Sequence, residues 1–523
     1  MGLWAKSVRI FNAIHEHGKQ SVRLLAERTG LSTSSVHRHL QALGRRDRYP
    51  ESSLWETEAG RTWLIRLVVA PLFVFGLKRG VGAETLSEFF SRLRLEAHVG
   101  CSPSALRNVM QTLESIILET ATAWEKEGIA HGELRPVIGA VDETFLQRLM
   151  LVFMDLASGY VLMEEVAVDR SYQTWYSGVN GRLKTCGTEV LYLVSDRAKA
   201  LVKLAHTGLG CLSIPDVFHL SHDLAKSYAL SIFNRLQHAK QALEHAKQCL
   251  EALQACTPDA DQAQQAQALV ETCEVSVQHW QGVRSAWRQH LSNLSRILHP
   301  WRLVDSSRQT SQEVESQLRA ELQALETLRE TNGLAVKKAI LDKVRTQLAG
   351  VSALVDCWWQ MVRQDVAQMA MTPRWTTWVE ALLLPLRYWQ EQRCRTRCPD
   401  QKAQIARVLR AVQDAFERHP CTGQLAPEVL AGWKVWAGEH ARAFQRASSA
   451  VEGRNGSLSQ MQHNHRGLPT RRYQVWTVLH NFDGRAADGT TPASRFVRRS
   501  FPDLFELRHE VARVAVMTCI TRT

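Results

Sequence analysis

Pro136-Val-Ile-Gly-Ala-Val-Asp142 opens the stretch of sequence that decides the fold, and it is a short apolar run that ends in an acid. Two further apolar runs, Arg148 to Leu156 and Tyr160 to Val168, follow it. Ala157-Ser-Gly159 lies between these two runs and has the composition of a hairpin turn. The pattern predicts three consecutive antiparallel strands within residues 136–216, the part of the chain richest in strand-like runs.

A helix and a fourth strand are predicted next. Tyr172 to Leu183 can form a crossover helix, and Glu189-Val-Leu-Tyr-Leu-Val-Ser195 is a buried strand that is followed by Asp196. A right-handed crossover would place this strand beside the first and parallel to it, which is the order of the RNase H-like fold. Because parallel neighbours end at the same edge of a sheet, we expect Asp142 and Asp196 to meet there.

Converging carboxylates are suited to magnesium, which prefers hard oxygen ligands and leaves positions for water and phosphate. Two such ions about 4 Å apart can activate a water or a 3′-hydroxyl and stabilise the leaving oxygen. A third carboxylate is required on a later helix, and the candidate is Glu452 in Val451-Glu-Gly-Arg-Asn-Gly-Ser-Leu-Ser459. A single acid after an apolar strand is usually only a strand terminator or a helix cap, so the joint pattern carries the interpretation.

The joint pattern resembles the signature blocks of bacterial insertion-sequence transposases of the DDE class, in that family's order, over about residues 136–226 and 446–500. The resemblance implies a catalytic triad of Asp142, Asp196 and Glu452 that holds Mg²⁺ or Mn²⁺. It also implies that the helical residues 227–445 are an insertion domain, as in hAT-type and related transposases. The blocks are Asp142-Glu-Thr; Ser195-Asp-Arg-Ala-Lys-Ala-Leu201; Asp216-Val-Phe-His219; Val451-Glu-Gly-Arg-Asn-Gly456; and Thr477-Val-Leu-His-Asn-Phe482 with Asp488-Gly-Thr-Thr-Pro492.

Several polar residues near the triad have alternative roles. Glu143 should point to the opposite face from Asp142, although a one-residue error in the triad stays open, and Asp155 resembles a structural acid of a hairpin turn. Asp216 and His219 either orient the metal site or contact a phosphate. Equally, each could simply form hydrogen bonds within the protein.

Two polar residues follow Glu452 by about one helical turn. Arg454 and Asn455 are candidates for contact with the scissile phosphate.

Near the N-terminus, Val22 to Leu43 has the pattern of a helix-turn-helix. Gly30 supplies the turn, Ser32 can cap the second helix, and small Ala26 lets the helices cross closely. The stretch resembles the winged-helix reader of IclR-type regulators; a helical hairpin with a solvated polar face is the alternative. Apolar Val36, Leu40 and Leu43 should face the core, and the outward side chains, suited to base edges and phosphates, are Thr33, Ser34, His37, Arg38 and Gln41.

A second possible DNA reader spans Thr85 to Glu114. Ser102 can serve as an N-cap with Pro103 at the first helical position, and Arg92, Arg94 and Arg107 could contact phosphates. A plain helical linker explains this segment equally well.

The region from about 220 to 450 is helical by its spacing of apolar residues. Leu236, Ala239, Leu243, Ala246 and Leu250 recur at intervals of three and four, which predicts long antiparallel helices or a coiled-coil arm. The region holds ten of the 16 tryptophans, for which core packing is favoured over stacking on a splayed base. A zinc site formed by Cys394, Cys398, His419 and Cys421 is a weaker candidate than free thiols, because the spacing is irregular.

A basic stretch follows the predicted catalytic glutamate. It contains His463, His465, Arg466, Arg471 and Arg472, and contact with the DNA backbone is slightly favoured over a solvated face. The whole chain has 64 Lys and Arg against 52 Asp and Glu, which makes a polyanion the leading partner.

No apolar leader is visible, and the longest apolar run, Leu67 to Leu77, contains Pro71 and is too short to cross a membrane. The 11 scattered cysteines fit reduced thiols in a cytoplasm.

Together these patterns predict an α+β multidomain DNA transposase: a helical DNA-binding region at 1–130 (helix-turn-helix at about 21–44), a core at 136–226 and 446–523, and the insertion at 227–445. It would cut transposon ends and join them to target DNA, as a cytoplasmic, nucleoid-associated homodimer or higher homo-oligomer that binds double-stranded DNA. The alternatives are a domesticated, non-cutting DNA-binding regulator and a related RNase H-like nuclease.

Overall fold

The computed structural model describes residues 3–46, 49, 54–55, 57–131, 137–255, 260–463 and 470–506. Pro136, His465 and Arg466, which the sequence interpretation named, lie outside these residues.

The described part is mainly helical, with one mixed sheet. Ahead of the sheet lie α1 (Leu3–His17), α2 (Val22–Thr29), α3 (Thr33–Arg46), α4 (Glu58–Pro71), α5 (Ala83–Arg92) and α6 (Pro103–His131). The sheet region contains β1 (Val137–Leu146), β2 (Arg148–Asp155), β3 (Tyr160–Ala167), α7 (Tyr172–Cys186), β4 (Val190–Ser195), α8 (Lys199–Lys203) and β5 (Leu212–Pro215).

Twelve α-helices follow the sheet in the described residues, and a π-helical turn at Val379–Leu383 joins two of them. They are α9 (Val217–Gln254), α10 (Ala260–Ile297), α11 (Ser311–Thr331), α12 (Lys338–Gln368), α13 (Pro373–Trp378), α14 (Leu384–Arg395), α15 (Pro399–Arg418), α16 (Pro420–Gln424), α17 (Pro427–Ala443), α18 (Ser449–His463), α19 (Thr470–Asp483) and α20 (Pro492–Val497).

The sheet has the order β3-β2-β1-β4-β5. β1 pairs antiparallel with β2, and β2 pairs antiparallel with β3. β4 lies beside β1 and parallel to it, with α7 as the crossover, and β5 extends the sheet as a further parallel strand. The predicted strand order is therefore confirmed, although the sequence interpretation did not include the short strand β5.

The first strand continues past Asp142, contrary to the prediction that it ends there. β1 runs to Leu146 because residues 143–146 pair with Arg148–Leu151 of β2 in a tight hairpin, where Gln147 adopts φ 60°. The parallel pairing of β1 with β4, by contrast, stops at Ala140 and Val194. Asp142 therefore lies two residues beyond the parallel part of β1 and not at the end of the strand.

The helices after α3 share one hydrophobic core with the sheet and the insertion. Trp124 of α6 packs against Phe482 of α19 and against Phe501, and the buried cluster extends from Leu64 to Leu504. Residues 3–46 have a separate small core around Ile10, Leu25 and Val36. Helices α4 to α6 thus pack with the sheet and the insertion, contrary to the prediction that groups them with the DNA-binding region.

Side chains of α19 and α20 cover the outer edge of the sheet at β3. Asn481 accepts a hydrogen bond from the Val161 N–H through Oδ1 and donates to the Val161 carbonyl through Nδ2, both at 2.9 Å. Arg495 donates to the Ser158 carbonyl at the turn before β3. These side chains pair backbone groups that an edge strand would otherwise leave unsatisfied.

Two long helices form an antiparallel arm, which confirms the helical prediction for this region. Leu236 and Ala239 of α9 bury against Val277 of α10. Tryptophans of the insertion pack against one another in the core, which confirms the favoured packing role for Trp301, Trp358, Trp359, Trp378 and Trp389.

Pro71 does not interrupt the apolar segment near the N-terminus. The chain stays helical from Glu58 to Leu77, with Pro71 as the last residue of α4 and a π-helical turn at Leu72–Leu77. Among the helices of the described ranges, this one alone is long and apolar enough to cross a membrane, but 53% of its apolar window is buried in the molecule. A single such helix is weak evidence, because core helices meet the same criterion.

Candidate active site

Three aspartates lie at one level along the edge of the sheet. Ala140 of β1 pairs with Val194 of β4, and Val194 pairs with Ile214 of β5. Two residues beyond each of these come Asp142, Asp196 and Asp216, in that order across the sheet. The predicted meeting of Asp142 and Asp196 follows from this register, since neighbouring parallel strands carry matched residues on the same face.

Helix α18 adds the fourth acid, Glu452. Burial is the main reason that the pKa of Asp142 rises to about 6, and the negative charges of Glu452 and Asp196 raise it further. The Glu143 N–H and the charge of His219 act in the opposite direction. Asp142 therefore lies close enough to Asp196 and to Glu452 for both charges to act on it.

Asp216 and His219 orient the site from the start of α9. Asp216 is 1% exposed and accepts hydrogen bonds from the N–H of Phe218 and from the N–H and hydroxyl of Ser448, just before α18. His219 Nε2 lies 3.1 Å from Glu452 Oε1. Ligand atoms of Asp216, His219 and Glu452 lie within 4.8 Å of one another, a spacing that could hold a metal ion, although hydrogen bonds already occupy Asp216.

Asn455 holds the first aspartate in place. Its Nδ2 donates to Asp142 Oδ2 at 2.8 Å, while its Oδ1 is buried without a partner in the described part of the chain. Asn455 therefore lies beside Asp142 in the site, and its suggested contact with a phosphate stays a prediction.

Arg454 is turned away from the surface, contrary to the suggested phosphate contact. Its side chain is 5% exposed and makes two hydrogen bonds to Glu164 of β3, at 2.7 and 2.8 Å. Thr477 of α19 donates to the same carboxylate at 3.0 Å. This buried network fixes α18, and with it Glu452, against the sheet. The sequence interpretation missed Glu164, whose only signal was an acid within an apolar strand.

The basic stretch after α18 is also engaged within the protein. Arg472 is largely buried and pairs with Glu114 of α6, so its predicted role in DNA binding is wrong. Arg471, which is exposed, donates to Ser115 of the same helix. These arginines connect α19 to α6.

Two neighbouring acids behave as the sequence interpretation expected. Glu143 points to the other face of β1 and pairs with Arg170. Asp155 is buried in the β2–β3 turn, where it accepts hydrogen bonds from the N–H groups of Ile138 and Ser158. Neither acid competes with Asp142 for a place in the carboxylate cluster.

The structure gives little support to the second candidate DNA-binding segment, residues 85–114, or to the candidate zinc site. Ser102 does cap α6, but Arg107 pairs with Glu84 and Arg92 with Glu88. The Arg94 guanidinium lies over the Tyr49 ring, so all three suggested phosphate contacts have partners in the chain. No three of Cys394, Cys398, His419 and Cys421 lie within ligand distance of one another, and His419 Nδ1 accepts a hydrogen bond from the Cys421 N–H.

The predicted helix-turn-helix is formed by α2 and α3. Gly30 ends α2 in the left-handed conformation at φ 67°, and Ser32 Oγ accepts from the N–H of Ser35 at the start of α3. Val36 is fully buried and Leu40 half-buried, whereas the side chains of Ser34, His37, Arg38 and Gln41 are exposed. The exposed side of α3 is therefore the candidate DNA-reading surface.

The raised pKa of Asp142 predicts how the metal-free protein responds to pH. An acid whose pKa is higher in the folded state stabilises that state at low pH, and this contribution is lost as pH rises from about 4 to about 6. We expect Asp142→Asn to raise the thermal midpoint at pH 7.5, where the free energy of unfolding should increase by at most about 3 kcal/mol. At pH 4 the substitution should change the stability little. Calorimetry in chelator checks this, with Glu143→Gln as the control; equal effects of Asp142→Asn at both pH values would contradict it.

Comparison with known proteins assigns the N-terminal segment. No curated protein matches the chain. Residues 379–515, which include α18 and Glu452, match a family of unknown function, DUF6399. Residues 5–47 match the family model described as winged helix-turn-helix DNA-binding. The chain therefore carries a winged helix-turn-helix DNA-binding domain at its N-terminus.

Proposed function

We propose that the protein is a DDE-type DNA transposase whose RNase H-like core cuts phosphodiester bonds at transposon ends. The observation that carries this proposal is the convergence of Asp142, Asp196 and Glu452 from β1, the end of β4 and α18. The sheet order, with three antiparallel strands and parallel strands beyond them, supports the same proposal. The winged helix-turn-helix supplies the means to find DNA.

The residue types of the cluster suit divalent cations, and among the described residues the acid and histidine group whose ligand atoms lie within 4.8 Å of one another is Asp216, His219 and Glu452. Carboxylate oxygens are the ligands that magnesium prefers. Burial, followed by the charges of Glu452 and Asp196, raises the pKa of Asp142, and a bound cation would offset both causes. Asp142, Asp196 and Glu452 would hold the ions, which when bound would activate the attacking oxygen and stabilise the leaving one.

The protein's own residues keep the cluster in position. Asn455 orients the Asp142 carboxylate, and His219 lies against Glu452. Asp216 connects the start of α9 to the start of α18 through Ser448. A fixed geometry matters because phosphoryl transfer depends mainly on positioning and electrostatic stabilisation.

A second candidate function is a transposase-derived regulator that binds DNA without cutting it. The winged helix-turn-helix match favours this reading equally, since DNA binding alone would satisfy it. A related RNase H-like nuclease is a third possibility. Inverted repeats on both sides of the gene would favour a mobile transposase, and incubation with DNA from those flanks in Mg²⁺ would separate cutting from binding alone.

We expect His37→Ala and Arg38→Ala to weaken specific DNA binding by roughly 1–3 kcal/mol for each contact with a base that the substitution removes. Both residues are exposed on α3 beside buried Val36. Competition binding with end and random duplexes over a salt series measures the effect; equal weakening on every sequence would indicate that Arg38 touches only phosphate. If deletion of residues 1–50 left end-specific binding unchanged, recognition would lie elsewhere, with residues 85–114 as the next candidate.

A further inference from the structure

A basic groove begins immediately after Asp196. Arg197, Lys199, Lys203 and His206 line one side of it, and Thr346 and Gln347 of α12 line the other. Its volume is about 600 Å³, and Lys199, Lys203 and His206 are exposed along it. The groove therefore lies between the strand end that carries a predicted catalytic acid and a helix of the insertion.

The positive charge of this groove is not neutralised within the described chain. None of the residues that line it is acidic, and none of its four basic side chains forms an ion pair with a described carboxylate. Lys203 Nζ lies 4.6 Å from the centre of the Tyr172 ring, a contact that leaves its charge available. Three cationic side chains and a histidine on one short segment, none of them in an ion pair with a described carboxylate, favour an anionic ligand with several charges.

The backbone of residues 197–209, the segment that lines the groove, has two uncommon conformations. Arg197 adopts the left-handed conformation at φ 64°, which is uncommon for a residue with a side chain and is typical of functional sites. Leu204–Leu209, which includes His206, forms a π-helical turn, another feature that often occurs at such sites. α12 passes so close that a Cβ on Gly350 would lie 3.2 Å from Arg197 Nη1. Gly350 thus lets the insertion form the opposite wall.

We propose that this groove, here called the Arg197–His206 groove, binds the phosphate backbone of the DNA strand that enters the carboxylate cluster. The role beside a cutting site rests on the proposed function, whereas the binding itself does not. The groove is open and several basic groups follow one another along it, an arrangement that suits a run of phosphodiesters better than one free phosphate. Thr346 and Gln347 give the insertion a direct contact with the strand.

The test compares Lys199→Ala/Lys203→Ala with Lys240→Ala/Lys402→Ala in the full chain. The control pair removes the same charge from exposed positions on α9 and α15. Equilibrium binding of duplexes that contain the flanking sequence is measured in chelator over a salt series. Removal of one phosphate contact should reduce the slope of log K against log salt by about 0.9, so the slope should fall by about 2 in the groove variant and stay unchanged in the control pair.

Equal slopes in the wild type and the groove variant would overturn the proposal. Titration with inorganic phosphate tests the alternative ligand. If the slopes are equal and the groove variant loses phosphate binding that the wild type shows, the groove is a site for a free anion, and its proposed binding of DNA is also rejected. Because binding is measured in the absence of cleavage, the groove proposal and the transposase proposal can be contradicted independently of each other. A protein that never cuts but shows the change in slope would contradict only the transposase proposal, and one that cuts without this change would contradict only the groove. Circular dichroism of both variants checks that they are folded.

Discussion

Substitution of Asp142 by Asn, Asp196 by Asn or Glu452 by Gln is expected to abolish DNA cleavage while leaving binding to the flanking DNA nearly intact. Each change removes a charged oxygen ligand but keeps the shape of the side chain, so the cation site is lost and the fold is not. The winged helix-turn-helix has its own small core and does not depend on these acids. Labelled-duplex cleavage and binding assays on the same preparations measure the two activities.

Glu143→Gln is the matched control for these three variants. Glu143 adjoins Asp142 in sequence but pairs with Arg170 on the opposite face of β1, so its loss should leave cleavage close to the wild-type level. Retained cleavage in Glu452→Gln would show that the third acid is not Glu452. Loss of cleavage in Glu143→Gln with retention in Asp142→Asn would shift the assignment by one residue.

The second large effect is expected on stability, from Arg454→Met. Glu164 has a side chain that is 0% exposed, and without Arg454 its buried charge would keep only the hydrogen bond from Thr477. Removal of one partner from a buried ion pair costs about 3–5 kcal/mol, because the other charge is left uncompensated. Chemical unfolding, with hydrogen exchange of β3 and α18 as a local probe, measures the loss.

Two further variants make this prediction specific. Arg92→Ala removes an arginine whose ion pair with Glu88 is largely exposed, and such pairs contribute roughly 0–1 kcal/mol. Replacement of both Arg454 and Glu164 by Met should recover much of the stability, since no charge then stays buried. A loss below about 1 kcal/mol in Arg454→Met would mean that the network does not fix α18.

The sheet was predictable because its signals are local. The apolar runs around Asp142 and before Asp196, with a hairpin and a helix between them, define the strand order, and parallel pairing then brings the two acids to one edge. The end of β1 was misplaced because the run Glu143–Leu146 is only partly apolar. What extends the strand there is pairing with β2, a tertiary effect that composition does not show.

The roles of the arginines could not be predicted, for a different reason. Arg454 and Glu164 are 290 residues apart, so nothing near either one reveals the other. An arginine close to a catalytic glutamate looks the same in sequence whether it binds a phosphate or a buried acid. The same holds for Arg472, whose partner Glu114 lies in a helix that was assigned to the DNA-binding region. Asn455, in contrast, lies beside the carboxylates, because one helical turn from Glu452 is a local relation; its contact with a phosphate stays a prediction.

Incubation of the wild-type protein with end-labelled duplexes from the gene's flanks, followed by mapping of every cut, tests metal-dependent cutting most directly. We predict discrete cuts that leave a 3′-hydroxyl in Mg²⁺ or Mn²⁺, binding without cuts in Ca²⁺, whose looser coordination aligns the attack poorly, and no cuts in excess chelator. Full cleavage in chelator would contradict a metal-dependent mechanism. Specific binding with no cut in either Mg²⁺ or Mn²⁺ would contradict the transposase proposal and leave the non-cutting regulator.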